Sequence, residues 1–289
     1  MSPRFKKAIK TVISHFWDFE DSRTSPQTKI ALRHLYHYYT DRARNGTPLN
    51  IPDTGLRIFS QFEEDGILLA IFATIDVKMP GVFVDIGSGD GINSNCANLA
   101  LNLGWNGVFI DGNSSNIKKG RKFYNNHPDT WGYPPQFVEA LISKDNINEV
   151  IQKAGIVDKV DLLSIDLDGN EYWIWEALTC IKPRVVIIET HTEFGFESIV
   201  VPYNPSEQYP GLHPHYHGAS LIAIKKLAEK KGYRLVGSNL YGFNTIHIRN
   251  DICENLIPSI SVEKILNMPR NVERMKVFDE IKDWKYIRV

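Results

Sequence analysis

Acidic residues stand at the ends of four short apolar runs in the middle of this 289-residue chain. They are Asp85, Asp111, Asp166 and Glu189. Carboxylates in such positions can accept hydrogen bonds from hydroxyls, hold a divalent cation or take up a proton. Parallel strands of one sheet end at a common edge, and ligands bind at that edge in open α/β folds. The spacing therefore predicts a single polar site to which several strand ends contribute.

The first apolar run, residues 82–86, leads into three glycines at spacing two, which are Gly87, Gly89 and Gly91. Glycine permits a sharp turn and lets a ligand approach the main chain. A helical pattern begins near Asn93, with Asn93 or the next serine as its cap, so the stretch predicts the strand, turn and helix of a nucleotide-type site. The alternative is an ordinary tight turn. A dinucleotide fingerprint needs G-x-G-x-x-G, and its absence disfavours an NAD-linked enzyme.

Strands and helices alternate along the chain, which predicts a doubly wound, mostly parallel seven-stranded sheet. A helix is predicted just before the first strand, with Ser60 as its N-cap and Glu63 completing a capping box. The last two strands are expected to be antiparallel. The predicted strands cover residues 82–86, 107–111, 137–142, 160–166, 184–189, 233–237 and 244–249.

The predicted organisation is an N-terminal helical extension over residues 1–57, a main domain over 58–250 and a helical tail over 251–289. Within the main domain, residues 190–217 are rich in His, Pro, Tyr and Gly and show no periodicity. A segment of this length after the fifth strand predicts a mobile wall or lid over the site. The tail shows no pattern that points to chemistry.

Composition excludes several classes of protein. The net charge of −1 gives no global basic field, so nucleic acid is not an expected partner. The three cysteines are far apart and odd in number, which fits neither a disulfide framework nor a zinc site and favours a reducing, cytoplasmic location. The sequence contains no run of 18 apolar residues, so no membrane span is predicted. The sequence leaves the oligomeric state open.

A basic stretch, residues 4–10, precedes a short apolar stretch, residues 11–17, at the N-terminus. The apolar part is too short for a signal peptide, and no small-residue cleavage site follows it. Two interpretations remain, an amphipathic segment that touches a membrane surface or a partner and a plain solvated helix.

With these motifs placed, the chain resembles the FkbM-type family of S-adenosylmethionine (SAM)-dependent methyltransferases over roughly residues 58–249. The pattern D-x-G-x-G-x-G resembles the first motif of class I methyltransferases, whose sheet is Rossmann-like. Asp168 stands where many relatives have glutamate. The resemblance implies nothing about the pairing of Glu189 with His191 or about the histidine-rich segment, so it leaves the acceptor open. The motifs that carry the resemblance are residues 60–66, 83–91, 163–171 and 218–221.

The resemblance implies a set of SAM contacts. For two members of the set, Gln61 and Glu139, the alternative is that the side chain contacts only solvent and not the cofactor. In the implied set, Asp85, Gly87 and Gly89 line the methionyl part, Asp111 binds the ribose hydroxyls, Glu139 or Ala140 borders the adenine, and Gln61 reaches the cofactor from the preceding helix.

The residue types also suit methyl transfer to a hydroxyl, which must lose its proton. Asp166, Asp168 and Glu189 form an oxygen-rich set for Mg²⁺ or Mn²⁺, and His191 is the expected base, with Asp166 as a second catalytic residue. The alternative is that Asp166 and Asp168 only brace loop hydrogen bonds.

The leading functional hypothesis is a SAM-dependent O-methyltransferase that acts on a hydroxyl of a sugar or glycan precursor. The sugar is inferred from the family and from the polar, aromatic character of residues 190–217. The alternative is a catalytically silent SAM-fold module that serves as a scaffold in a glycan-assembly complex.

Overall fold

A sheet of seven strands forms the centre of the structure, a computed structural model that describes residues 24–75, 80–156, 159–206 and 210–289. The strands lie in the order β3, β2, β1, β4, β5, β8, β7, and only β8 runs antiparallel to its neighbours. The predicted doubly wound, mostly parallel sheet and its antiparallel closing pair are confirmed. The strands are β1 (Val82–Ile86), β2 (Asn106–Asp111), β3 (Gln136–Glu139), β4 (Leu162–Ile165), β5 (Val185–Glu189), β7 (Tyr233–Ser238) and β8 (Asn244–Arg249).

Helices pack on both faces because successive residues of a strand point to opposite sides. Phe83 belongs to one buried apolar cluster and Val84 to the other. None of the helices in the described ranges combines the length and apolar composition needed to cross a membrane. The helices are α1 (Pro26–Arg44), α2 (Glu64–Thr74), α3 (Ala97–Leu103), α4 (Ser114–Asn126), α5 (Ile147–Lys153), α6 (Glu171–Ala177), α7 (Leu221–Lys231), α8 (Val262–Leu266) and α9 (Pro269–Arg274).

The start of α2 differs from its prediction. The capping box over Ser60 and Glu63 is wrong, because the helix begins at Glu64 and its N-cap residue, Glu63, makes no capping hydrogen bond with its side chain. Ser60 Oγ accepts the Asp65 N–H at 3.2 Å. Instead, Asp65 Oδ2 accepts hydrogen bonds from the backbone N–H groups of residues 58–60 at 2.7, 2.6 and 2.9 Å. Every residue of α2 is buried, so the helix has no solvated face. Asp65 therefore fixes the loop that precedes the helix.

Replacing Asp65 by alanine should lower the free energy of unfolding by about 3–5 kcal/mol, because three donors would lose their acceptor at a site where Phe59 and Ser60 are buried. Asp65→Asn is the matched control. Its side-chain oxygen can still accept all three hydrogen bonds, so the loss should be smaller. Urea unfolding measures both variants, and equal stability of Asp65→Ala and the wild type would contradict this role.

The predicted N-terminal extension and C-terminal tail both pack against the main domain. The Thr40 hydroxyl of α1 donates to the carbonyl of Ala73 in α2 at 3.3 Å. The Leu49 N–H donates to the carbonyl of Leu256 in the tail at 2.7 Å. The basic stretch near the N-terminus lies outside the described residues.

Residues 190–206 contain more regular structure than predicted. They form a 3₁₀ turn at Thr192–Phe194 and a strand β6 (Ile199–Val200), which pairs with β9 (Ile287–Arg288) of the tail. The sequence of residues 190–217, which shows no periodicity, gives no sign of these two elements. An apolar cluster joins the segment to the tail through Phe194, Ile199, Val201, Tyr216, Phe278, Ile281 and Tyr286.

Candidate active site

A cleft opens at the carboxyl ends of β1 and β4, next to the first residue of β8. Four of its lining residues are ones for which the sequence predicts a role, namely Gln61, Asp85, Gly87 and Asp166. The others are small polar residues, whose types and spacing carry no signal of a site. They are Ser88, Asn93, Ser94, Asn95, Ser164 and Asn244.

Gly87 and Gly89 shape the turn after β1, with φ angles of 78° and 56°. A Cβ added at Gly87 would lie 1.6 Å from the carbonyl oxygen of Asp166, whereas one added at Gly89 would meet no atom within 4 Å. Gly87 therefore allows the turn to contact β4. Gly89 presents bare main chain to open space, which a closely approaching ligand requires.

Asp85 is only 3% exposed, and burial raises its pKa to about 6. The Ser94 hydroxyl donates to Asp85 Oδ2, and the Cys96 N–H donates to the Ser94 hydroxyl at 3.0 Å. Because α3 begins at Ala97 and no side chain caps it, the predicted cap at Asn93 or Ser94 is wrong. Asp85 thus borders the cleft and also orders the segment that leads into α3.

Asp111 lies beside the glycine turn. Its Oδ2 accepts a hydrogen bond from the Gly89 N–H at 2.9 Å, and its Oδ1 accepts one from the Asn113 N–H at 2.8 Å. Glu139 is the register partner of Asp111 on β3 and is exposed. Neither carboxylate is part of the cleft lining, and the two stand on β2 and β3, to one side of β1.

Glu64, which the sequence does not single out as a site residue, ties the Gln61 segment to β8. Its Oε1 accepts from the side-chain amides of Asn239 and Asn244 at 2.7 and 2.9 Å. Its Oε2 accepts from the Phe62 N–H at 3.0 Å. Gln61 lies in the loop before α2 rather than in the helix, and Glu64 holds that loop against the cleft.

An acid cluster of Asp166, Asp168 and Glu189 lies beside the cleft. One oxygen of each carboxylate lies within 4.8 Å of the others. Asp168 has a φ of 52°, a left-handed conformation that is uncommon outside glycine and often marks functional sites. The structure thus brings together the three residues that the sequence predicts as metal ligands.

Hydrogen bonding distinguishes the acid cluster from its neighbour Glu171. Glu171 Oε1 accepts the loop N–H groups of Leu167 and Gly169 at 2.9 and 2.8 Å. No side-chain hydrogen bond to Asp166 or Asp168 occurs within the described part of the chain. The loop is therefore braced by Glu171, and the alternative that assigns bracing to Asp166 and Asp168 is wrong.

The acid cluster is electrostatically strained. Burial, followed by the charges of Glu171 and Asp168, raises the pKa of Asp166 to about 8. Burial and the charge of Asp166 also raise the pKa of Glu189 well above its usual range. The cluster therefore favours bound protons or a bound cation over three bare negative charges.

His191 lies next to the acid cluster and is only 3% exposed. Its Nε2 is 3.9 Å from Glu189 Oε2, and its Nδ1 is 4.0 Å from Glu193 Oε2. Burial, followed by the charge of His217, lowers the pKa of His191 to about 3. The ring is therefore neutral near pH 7, with one nitrogen on the side of the cluster and the other on the side of Glu193.

Glu193 is a further residue that the sequence does not reveal. It is almost fully buried, accepts a hydrogen bond from Arg274 Nη2 and lies 3.1 Å from His215 Nδ1. Arg274 belongs to the tail, 81 positions away. The tail, whose sequence shows no pattern that points to chemistry, thus contacts a residue that lies close to His191.

A larger cavity lies away from this site. It measures about 320 Å³ and borders the amino end of β2 and the loop from Pro128 to Tyr133. None of the predicted ligands or catalytic residues lines it, whereas Gln61, Asp85, Gly87 and Asp166 line the smaller cleft at the opposite edge.

A scan against protein-family profiles finds no match. A search of curated protein sequences also finds none. Solved structures that resemble the chain are SAM-dependent methyltransferases. They include an O-methyltransferase family protein from Burkholderia thailandensis, 15% identical over 64% of this chain and 57% of that protein, with a TM-score of 0.38. This chain thus spans less than two thirds of that protein's length.

Two further structures have similarly low sequence identities and TM-scores. The N-terminal domain of EvdMO1, crystallised in the presence of SAH and D-fucose, is 11% identical over 74% of this chain and 95% of that one, with a TM-score of 0.42. Magnesium protoporphyrin IX methyltransferase from Synechocystis, with bound SAM, is 13% identical over 64% of this chain and 79% of that one, with a TM-score of 0.38. The proposals below rest on the residues of this chain.

Proposed function

We propose that the protein is a SAM-dependent O-methyltransferase of the FkbM type, which methylates a hydroxyl of a sugar or glycan precursor. The observation that carries the proposal is the open space in front of Gly89, between Asp111 and the cleft. Ser88 supports it, because its hydroxyl lines the cleft, is buried and has no hydrogen-bond partner among the described residues. An uncovered glycine turn with an unused hydroxyl fits a polar ligand.

Each part of SAM has an assigned partner in this proposal. Asp85, Gly87 and Gly89 line the methionyl part, Asp111 binds the ribose hydroxyls, and Glu139 borders the adenine. Gln61 contacts the cofactor from the loop that Glu64 holds in place.

The reaction is an in-line displacement at the methyl carbon. The acceptor oxygen forms a bond to that carbon as the carbon–sulfur bond breaks, and the electron pair of the broken bond stays on sulfur. His191 takes the hydroxyl proton, and the charge of Glu193 stabilises the imidazolium that forms. The products are the methyl ether and S-adenosylhomocysteine.

A divalent cation fits the acid cluster of this proposal. All three donors are carboxylate oxygens, the ligand type that Mg²⁺ and Mn²⁺ prefer. Glu189 Oε2 is buried and has no hydrogen-bond partner among the described residues. Asp166, Asp168 and Glu189 would hold the ion, whose positive charge lowers the pKa of a bound hydroxyl.

Replacement of Asp111 by alanine should weaken SAM binding by about 1.5–3 kcal/mol, the range for a hydrogen bond to a charged group. Calorimetry of the full chain measures the change. Asp111→Asn keeps an acceptor for the Gly89 N–H but removes the charge, so it separates support of the turn from contact with the ribose.

The exposed Asp251 provides the control, because its carboxylate pairs with Arg249 at the other end of β8. Asp251→Ala should bind SAM like the wild type. Unchanged affinity in a folded Asp111→Ala variant would contradict the ribose assignment. A wild-type chain that binds neither SAM nor S-adenosylhomocysteine would favour the scaffold alternative.

A further inference from the structure

Three aromatic rings form a layer at the turn between β7 and β8. The ring of Phe62 lies 4.5 Å from Tyr241 and 5.7 Å from Phe243, measured between centroids. Phe62 directly follows Gln61 and Phe243 directly precedes Asn244, and both Gln61 and Asn244 line the cleft. The Phe62 N–H and the side-chain amide of Asn244 both donate to Glu64, so this aromatic layer lies beside the cleft.

Two arginines of α9 cover the aromatic layer. Arg270 and Arg274 are four positions apart, so they project from the same side of the helix. The guanidinium carbon of Arg270 lies 4.6 Å from the centroid of Tyr241, and that of Arg274 lies 3.7 Å from the centroid of Phe243. A stacked guanidinium keeps its N–H donors in the plane of the group, where they can bind a second partner.

The two arginines differ in their partners. Arg274 donates to Glu193, so its charge is compensated. Arg270 is exposed, and no carboxylate or other acceptor within the described ranges binds its guanidinium. Glu63, which reaches the same turn, accepts the Leu240 N–H. Arg270 therefore brings an uncompensated positive charge to a position beside the cleft.

We propose that Arg270 binds an oxyanion on the acceptor, a phosphate or carboxylate group of the sugar whose hydroxyl is methylated. This inference rests on the proposed function. A guanidinium matches either group with two parallel hydrogen bonds. Because Tyr241 already holds the side chain, binding immobilises less of it and costs less entropy.

The opposite charges of the acid cluster and Arg270 also support an acceptor that carries an oxyanion. With a divalent cation bound, the three carboxylates of the acid cluster leave no net positive charge to attract an anion, whereas a neutral hydroxyl can approach it. An acceptor with both groups is then oriented by them, with its oxyanion on Arg270 beside the cleft and its hydroxyl at the cluster. The arrangement favours acidic sugars over neutral ones.

The test measures the binding of glucose 1-phosphate, glucuronate and glucose to the full chain saturated with S-adenosylhomocysteine, by ligand-observed NMR. We expect the preferred anionic sugar to bind at least about tenfold more tightly than glucose, the effect of one hydrogen bond to a charged group. Arg270→Ala should remove this difference. Arg270→Lys should restore part of it, because lysine keeps the charge but lacks the planar fork.

Arg42 offers a matched control, because its guanidinium also stacks on a tyrosine, Tyr38, at 5.6 Å, but on α1. Arg42→Ala should keep the preference for the anionic sugar. Equal binding of all three sugars, or a preference that survives in Arg270→Ala, would overturn the inference. The ratio of glucose 1-phosphate to glucuronate affinity assigns the oxyanion to phosphate or carboxylate. Absence of S-adenosylhomocysteine binding would instead contradict the proposed function.

Discussion

Replacement of His191 by alanine is expected to lower kcat by about 10²–10⁴, the usual share of general acid–base catalysis, with little change in SAM affinity. The His191 ring lies between Glu189 and Glu193, and its Nε2 has no hydrogen-bond partner among the described residues. A neutral ring with an unused nitrogen beside the acid cluster can accept a hydroxyl proton, and the charge of Glu193 offsets part of the effect of burial, which lowers the pKa of His191. Transfer of a radiolabelled methyl group to an acceptor that the wild type methylates measures kcat, and calorimetry measures SAM affinity.

His213 provides the matched control, because it belongs to the same segment but its Nε2 lies 3.5 Å from Glu280 in the tail. His213→Ala should keep wild-type turnover. Glu193→Gln should lower kcat by less than His191→Ala, because the base stays while the charge that stabilises its protonated form is lost. Wild-type turnover in a folded His191→Ala variant would remove the base assignment, and His217 and Asp168 would become the next candidates.

The fold could be predicted because each strand is a short apolar run between turn residues. Phe83 and Val84, which are neighbours in β1, belong to the two different buried clusters. Both faces of a central strand are therefore buried, and its apolar run in the sequence is nearly continuous. The helix starts were less predictable. Asp65 replaces a capping box by accepting three N–H groups from the preceding loop, and such a contact depends on how the loop closes.

The candidate site could be predicted only where side chains stand at strand ends. Parallel pairing places Ile165 of β4 opposite Ile188 of β5, so the residues that follow, Asp166 and Glu189, come close without further information. Arg274 and Glu193 meet through tertiary packing of the tail, and no local pattern links two residues so far apart. The serines and asparagines of the cleft are equally hidden, because they are common in ordinary loops.

The acid cluster leads to the second large expected effect. Close carboxylates without a cation repel one another, and one of them tends to hold a proton. A divalent cation removes this repulsion and binds oxygen donors of this type. We therefore expect a chelator to suppress turnover almost completely, and Mg²⁺ or Mn²⁺ to restore it.

Asp166→Asn should separate stability from activity at this cluster. Loss of one charge relieves the repulsion, so in chelator the unfolding temperature of this variant should exceed that of the wild type while its turnover is lost. Added Mg²⁺ should raise the unfolding temperature of the wild type, because a ligand that binds only the folded state stabilises it. That rise should be absent in Asp166→Asn and retained in the control Asp145→Asn, whose carboxylate is exposed. Full wild-type activity in chelator, with an unfolding temperature that Mg²⁺ does not change, would exclude a cation and leave the carboxylates to bind the acceptor hydroxyls directly.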